Sequence, residues 1–413
     1  MTEKQNKSKN VNRLVLTCDL GGSQTKAIAQ VYPDGIPIVL AMSPEVADVS
    51  KGSIERLIQQ NQVFQGNTTC LGLGEKYYIL GTLAKTMFAG TAAIRDLKYQ
   101  YALPKIAGMV WLACRKFNFD SPHEVFVKLL LPPGELNDGE YLAQELKQVL
   151  KTGIFTPTGK LKAKLRNFDV SVEGSGIMAY RRRNIQDKYF QNNIGMLMLG
   201  YRNASFYLSA KGNPGKSEST ELGMNWLLEQ FVERTAVGLS KYDSRLIWAL
   251  LAAGKGDFDD LRALSRKTTE SGIESDLKLF QKVLPDVRDE YCGALLRWIR
   301  NIAVLDEIVI CGGTTEFVTT ELTEHFENEG IPIVWNGNVS IPKKLDTLDL
   351  GDRVTDVWTS HISHIKMLDK NLGHDRQGRT LVPTDNNQPT YYNGKVPEEV
   401  WIQKGFTPMH EGV

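Results

Sequence analysis

The sequence predicts an α/β protein built of two related halves. Three observations carry that expectation. A strand, a glycine turn and a second strand occur near residue 20, in Leu14–Leu20, Gly21-Gly22 and Ala27–Tyr32. The same order returns near residue 200, in Ile194–Leu199, Gly200 and Ala204–Ser209, and each copy is followed by helices and short strands. A further glycine pair, Gly312-Gly313, ends an apolar strand and precedes a helix.

Residues 1–12 are polar and rich in Lys and Asn, and a disordered tail is expected there. Leu14–Leu20 is a β-rich apolar run. The chain returns as Ala27–Tyr32, turns at Pro33-Asp34-Gly35 and continues as a third strand, Pro37–Ala41. Thr69–Leu80 holds two short strands about Gly74-Glu75. Helices are expected over Thr82–Ala89 and Ala92–Lys116, the second with Ile106, Met109, Val110 and Ala113 at helical spacing. Val125–Leu131 is apolar throughout and stops at Pro132-Pro133, which suits a strand buried on both faces. Asp138–Leu150 is an amphipathic helix, and Phe168–Val172 a strand ending at Glu173-Gly174-Ser175-Gly176.

The second half opens at about Gln191. After its two strands, helices are expected over Thr220–Val237, Arg245–Ala253, Asp257–Arg266 and Asp286–Leu305. Glu307–Cys311 is a strand, Glu316–Asn328 a helix, Ile331–Trp335 the last strand and Asp352–Met367 a closing helix. From Lys370 the chain is rich in Asn, Asp, Gly and Pro, an extension without its own core. Its Tyr391, Tyr392 and Trp401 carry enough apolar surface to dock on a neighbour.

Composition narrows the function classes. The 413 residues suggest two to four domains, and 42% hydrophobic with 23% charged residues is the profile of a globular protein. A net charge of +1 is too balanced for a broad nucleic-acid-binding surface. The five cysteines (Cys18, Cys70, Cys114, Cys292 and Cys311) form no CxxC pair, so neither a disulfide framework nor a zinc site is indicated. Cys18 and Cys311 lie in apolar runs, as small buried hydrophobes do in a reducing cytoplasm. The start of the chain lacks the apolar core of a signal peptide. No apolar stretch approaches the roughly 20 residues of a membrane span, so a cytoplasmic location is expected.

Three segments carry the chemistry. In Asp19–Lys26, glycines 21 and 22 let backbone approach an anion; Ser23, Gln24 and Thr25 add amides and hydroxyls, and Lys26 adds positive charge. Asp19 would face a magnesium shell, since hard cations take carboxylates and water. The same segment is equally a plain hairpin with a glycine turn. In Ile308–Phe317, a strand runs into Gly312-Gly313-Thr314 and a helix, which clears room for a flat ring or phosphate at a helix N-terminus. An ordinary strand–helix turn has that form too. The third segment, Gly195–Tyr207, has Gly200 but then Tyr201, Arg202 and Asn203, where small residues would wrap a phosphate.

The order of the three segments resembles the superfamily of actin, sugar kinases and heat-shock chaperone ATPases. Asp169–Tyr180 and the helix after Glu221-Leu222-Gly223 are most similar to ParM/StbA proteins, the actin-like filament ATPases of bacteria. The resemblance covers about residues 13–367 and implies an actin-like fold: two related domains with a nucleotide cleft between them. Residues 13–190 with a closing helix at 350–368 would form the first domain, 191–349 the second, and 369–413 an extension. Smaller subdomains are expected at Lys51–Gly90 and Trp226–Arg300.

The resemblance also assigns residues. Asp19 would hold magnesium through water, and Gly21, Gly22, Ser23, Gln24 and Lys26 would wrap the phosphates of ATP or GTP. Glu173 would orient the attacking water. Gly312, Gly313 and Thr314 would flank the adenosine, and Glu221 and Gly223 would approach ribose and base. The second hairpin departs from the family pattern, Asp-(Leu/Ile/Ser)-Gly-Gly-Thr-Thr: here it reads Met198-Leu199-Gly200-Tyr201-Arg202-Asn203. Loss of one preorganised group of this kind costs about 10²–10³ in rate, so slow or absent hydrolysis is expected. Arg202 would restore a cation near the phosphates.

The implied function is nucleotide-dependent assembly into a filament, by repeated head-to-tail contacts between copies. Its role would be plasmid segregation through a small, DNA-bound adaptor, or a derived scaffold role. A small-molecule kinase is the alternative, but no catalytic Asp accompanies a sugar-binding signature. A chaperone would need a substrate domain, and the C-terminal extension is too short and polar for one. His361 and His364 are expected as a surface or half-buried pair, and Arg181-Arg182-Arg183 as a solvated interdomain turn. Trp111, Trp226, Trp248 and Trp298 are expected in the core.

Overall fold

A computed structural model of the chain describes residues 12–60, 68–92, 98–241, 243–375, 380–382 and 390–392. In the first half these are β1 (Arg13–Leu20), β2 (Thr25–Tyr32), β3 (Ile38–Met42), β4 (Val46–Val49), α1 (Lys51–Gln59), β5 (Thr69–Leu73), β6 (Lys76–Leu80), α2 (Thr82–Phe88) and α3 (Ala102–Lys116). They continue as β7 (Glu124–Leu131), α4 (Gly139–Thr152), β8 (Ile154–Thr156), β9 (Gly159–Leu161), β10 (Lys164–Val172), α5 (Ser175–Ile185) and α6 (Asp187–Gln191). The second half holds β11 (Asn193–Leu199), β12 (Ala204–Ala210), β13 (Asn213–Thr220), α7 (Met224–Thr235), α8 (Ser244–Gly254), α9 (Asp259–Arg262) and α10 (Glu270–Arg300). After these come β14 (Glu307–Cys311), α11 (Thr315–Asn328), β15 (Ile333–Trp335), α12 (Thr355–Leu372), β16 (Thr380–Val382) and β17 (Thr390–Tyr392).

The two halves repeat one sheet topology. The first central sheet runs β10-β7-β1-β2-β3, the second β15-β14-β11-β12-β13. In each, the first two strand pairs are antiparallel, and the next two strands add in parallel to the opposite edge. β1, β7, β11 and β14 are central and largely apolar because helices cover both sheet faces. A third, antiparallel sheet of order β4-β6-β5-β8-β9 stands beside the first half.

Several elements depart from expectation, each for a tertiary reason. β13 is a strand where the sequence shows no apolar alternation. Its residues Asn213–Ser219 are exposed, and its ladder to β12 supplies the pairing. The helix expected from Thr220 therefore begins at Met224. α10 runs from Glu270 through Pro285 instead of starting after it. An interior proline costs about 3 kcal/mol. Phe280, Leu284, Val287, Tyr291, Leu295 and Ile299 bury one face of the helix and offset that cost. α1, capped by the Ser50 hydroxyl accepting from the Ser53 amide, and the short strands β8 and β9 were not expected. α9 is a single turn, and the closing helix runs Thr355–Leu372. The expected tail at the N-terminus, the start of the helix expected from Ala92 and most of the C-terminal extension, Trp401 included, lie outside the described residues.

Three local expectations are corrected. Arg181-Arg182-Arg183 lies within α5, not on a turn. Arg181 makes a bidentate pair with Glu307 of β14, at 2.9 and 2.6 Å, and Arg182 lies over the Phe190 ring at 4.8 Å. Trp111 is in the core of the first half, and Trp226 and Trp298 pack against the core of the second. Trp248 is 53% exposed instead, because α8 turns that face toward the cleft described below.

His361 and His364 are both fully buried rather than at the surface. α12 lies on β1 and β2, and the pair meets a polar spot in that apolar layer. The Thr17 hydroxyl is 3.1 Å from Nδ1 of each ring, and His361 Nε2 is 3.0 Å from Gln30 Oε1. Burial first, then the charges of His361 and Lys128, push the His364 pKa well below its usual 6.5. The native state therefore binds fewer protons than the unfolded chain below that pH. The stabilisation is complete above pH 6.5 and is lost progressively as pH falls. We expect His364→Asn to flatten the dependence of unfolding free energy on pH below 6.5 by up to about 1.4 kcal/mol per pH unit. Urea titrations at several pH values measure this; identical slopes in wild type and variant would contradict it.

Candidate functional site

The ends of the two central sheets face each other across a cleft enclosing about 1140 Å³, open solvent included. The first hairpin enters it from β1 and β2. Strand register places Asp19 opposite Lys26, and the Lys26 ammonium is 2.9 Å from Asp19 Oδ2. Lys26 also donates to the Arg353 carbonyl at 2.8 Å. A Cβ on Gly21 would crowd the Gln24 carbonyl, so the tightness of the turn requires glycine there. Asp19, Gly21, Gly22, Ser23 and Lys26 line the cleft. Gln24 does not, and its Oε1 is buried without a hydrogen-bond partner.

The second hairpin has the same construction. A Cβ on Gly200 would crowd the Asn203 carbonyl as one on Gly21 would crowd that of Gln24. By this correspondence Met198 stands where Asp19 stands in the first hairpin. Met198 lines the cleft, and its sulfur is 3.4 Å from Cys311 Sγ. Gly200, Tyr201, Arg202 and Asn203 also line it. Arg202 is turned to a protein anion: its Nη2 donates to Glu135 Oε1 at 2.6 Å, across from the turn that follows β7. The Gly200 and Tyr201 carbonyls accept from the Met224 and Asn225 amides at 3.1 and 2.9 Å, which caps α7. Gly223 is buried beneath this loop, where a side chain would collide with Arg202 and Asn203 backbone. Glu221 is exposed, and neither it nor Gly223 lines the cleft.

The glycine pair after β14 closes against the second hairpin. Gly312 has φ +113°, and a Cβ there would overlap the Leu199 carbonyl. The Thr314 hydroxyl donates to the Gly200 carbonyl at 3.1 Å. Gly312, Gly313 and Thr314 all reach the cleft, as does buried Glu173, whose amide donates to Leu131 O at 3.0 Å.

The cleft lining includes residues that the sequence did not assign to it, among them the polar or aromatic Lys105, Trp248, Asp352, Arg353 and Asp356. Lys105 is buried in an apolar helix and gave no signal apart from its charge. Arg353 bridges elements: its Nη2 is 3.0 Å from Ser23 Oγ, and its guanidinium lies 5.1 Å from the Trp248 ring centroid. Burial lowers its pKa. Asp356, in the first turn of α12, accepts the Gly174 amide at 2.8 Å through Oδ2. Burial raises its pKa to about 7; the Gly174 amide and Lys26 oppose the shift, and Asp19 and Glu173 reinforce it. In sequence, an acid at a helix start is an ordinary dipole partner, so nothing marked Asp356 out. Among the described residues no three His, Cys, Asp or Glu side chains converge closely enough to hold a metal directly, and no helix is long and apolar enough to cross a membrane.

No family model matches the chain, and no curated protein does. Solved structures do. The archaeal actin homolog Ta0583 superposes with a TM-score of 0.56 at 15% identity, over 87% of this chain and 99% of that one. Bacillus thuringiensis ParM with AMPPNP gives 0.53 at 15%, over 86% and 99%. A subunit of a 15-stranded ParM filament from Clostridium botulinum gives 0.51 at 15%, over 87% and 99%. The chain has the actin-like fold, as its sequence resemblance implied.

Proposed function

We propose that this actin-like chain binds a nucleoside triphosphate in the cleft and assembles with copies of itself into filaments. The observation that carries this reading is the convergence of two equivalent hairpins and the Gly312-Gly313-Thr314 turn on one cleft. A concave cleft, mostly apolar with a few convergent polar groups, suits a nucleotide. ParM with AMPPNP and the ParM filament share this fold, which supports both halves of the proposal.

Backbone amides of Gly21, Gly22 and Ser23 would hold phosphate oxygens, with Lys26 and Arg353 supplying positive charge. Gly312 and Gly313 would leave room for the adenosine. Trp248 offers a flat face at the cleft wall, a role its expected burial would have denied it. The residues also fit a hydrated magnesium ion: Asp19 lines the cleft, and Asp356 Oδ1 is buried there without a hydrogen-bond partner. Phosphate oxygens and water would complete its shell, and the ion would neutralise phosphate charge. Glu173 would accept a hydrogen bond from the attacking water and orient it. With apolar Met198 opposite, the second hairpin holds no carboxylate for this task, and we assign slow hydrolysis to the chain. Filaments that turn over slowly suit a scaffold role better than plasmid segregation through an adaptor.

High-speed pelleting and negative-stain microscopy with ATP, GTP, a non-hydrolysable analogue and no nucleotide test this, with phosphate release followed in parallel. We expect filaments with triphosphate and with the analogue, and phosphate release that lags assembly. Release in step with assembly would remove the slow-hydrolysis assignment. Absence of filaments in every condition would overturn the assembly reading and favour the kinase alternative.

A further inference from the structure

We propose that Asp356 supplies the second cation-holding carboxylate of the cleft, the one that the second hairpin lacks at Met198. The inference rests on the nucleotide reading and names a residue that the two hairpins do not contain. The hairpins are equivalent in register. Asp19 and Leu20 pair with Lys26 and Thr25; Met198 and Leu199 pair with Ser205 and Ala204. A two-fold related site would therefore present a carboxylate from each half. Here one position holds a thioether against Cys311 instead.

Asp356 reaches the cleft from a different element, the first turn of α12. The residue is only 7% exposed. Its Oδ2 is held by the Gly174 amide, which fixes the carboxylate, and its Oδ1 has no hydrogen-bond partner. Buried carboxylate oxygens are rarely left so, because each forgoes hydration without replacement. A buried oxygen that lacks a protein donor, on a residue lining a ligand cleft, is suited to a water or a hydrated cation that arrives with the ligand. Asp19 and Glu173 lie near enough to act on Asp356 electrostatically, with Lys26 the opposing charge. Four carboxylates line the cleft, Asp19, Glu173, Asp352 and Asp356, and such a set favours a divalent cation carried in by an anion. Because these groups do not converge to bare-metal distance, Asp356 would bind the ion through its water shell.

The test is the magnesium dependence of nucleotide binding, read by fluorescence of a labelled ATP over a range of Mg²⁺ concentrations. Manganese electron paramagnetic resonance on the ATP complex gives a second reading that needs no turnover. Asp356→Asn keeps an acceptor for the Gly174 amide and removes the charge, and its thermal melt reports folding. We expect Asp356→Asn to weaken cation binding in the complex by about 10–100-fold, with affinity for metal-free ATP not reduced, since the substitution removes a negative charge that faces the phosphates. Asp356→Glu, which keeps the charge, should retain part of the cation dependence if Asn perturbs folding. Asp19→Asn is the control for the first hairpin. Unchanged cation affinity in Asp356→Asn, with a loss in Asp19→Asn, would overturn this proposal and leave the nucleotide reading intact. A wild-type protein that binds no ATP at any Mg²⁺ concentration would overturn both.

Discussion

Gly312→Ala is expected to destroy the cleft, while Gly313→Ala is expected to be tolerated. At Gly312 two costs coincide. Its φ of +113° lies where L side chains are strained, and the added methyl would overlap the Leu199 carbonyl at the end of β11. That carbonyl also accepts the Thr314 amide at 3.3 Å, so it cannot move without disturbing the turn. Strain and overpacking together amount to about 2–5 kcal/mol, a large part of the roughly 5–15 kcal/mol typical of folded proteins. At Gly313 the nearest atom to an added Cβ is Arg353 Nε at 3.7 Å, an ordinary contact. Urea denaturation with nucleotide binding on both variants decides the matter. Equal losses would show that the Gly312 geometry is not what the turn depends on.

Arg202→Ala is expected to cost more stability than Glu135→Ala, although the two residues share one ion pair. The asymmetry comes from burial. The Glu135 side chain is 4% exposed and that of Arg202 24%, with 2.6 Å between Arg202 Nη2 and Glu135 Oε1. Removing Arg202 takes one cation from a carboxylate that is only 4% exposed. Removing Glu135 leaves a guanidinium that can turn toward solvent. Breaking one side of a buried pair costs about 3–5 kcal/mol, and the exposure of Arg202 brings the expected loss down to about 2 kcal/mol. Glu135→Ala should cost less than half of that, and the double variant should resemble Glu135→Ala. A double-mutant cycle by chemical denaturation measures all three. Because the pair joins the second hairpin to the turn after β7, Arg202→Ala should also change nucleotide affinity indirectly, by loosening the cleft. A loss confined to affinity, with stability intact, would return Arg202 to the role of phosphate cation that its sequence position suggested.

Much of the site was legible because its signals are local. Gly21 and Gly200 are demanded by backbone within their own turns and Gly312 by its positive φ, and such glycines stand out in a sequence. The apolar runs of β1, β7 and β14 mark strands covered on both faces. Repetition of strand, glycine and strand disclosed the duplicated sheets, and the apolar periodicity of α3 disclosed that helix. Boundaries were less legible. β13 owes its strand to β12, and α10 continues through Pro285 because its apolar face is buried.

Taken alone, the sequence determined most central strands and long helices, the two-fold construction, the glycine turns and the presence of Met198 where the first hairpin has Asp19. Tertiary structure alone decided which distant charges meet. Arg353 lies 330 residues from Ser23, Asp356 182 from Gly174 and Arg202 67 from Glu135. It also decided that Trp248 faces the cleft and that His361 and His364 are buried. The physical reason is common to these cases. Periodicity and turn chemistry act over a few residues and leave a pattern, whereas the environment of a single polar side chain depends on what packs against it. An aspartate at a helix start has the same local sequence whether water or a second domain faces it.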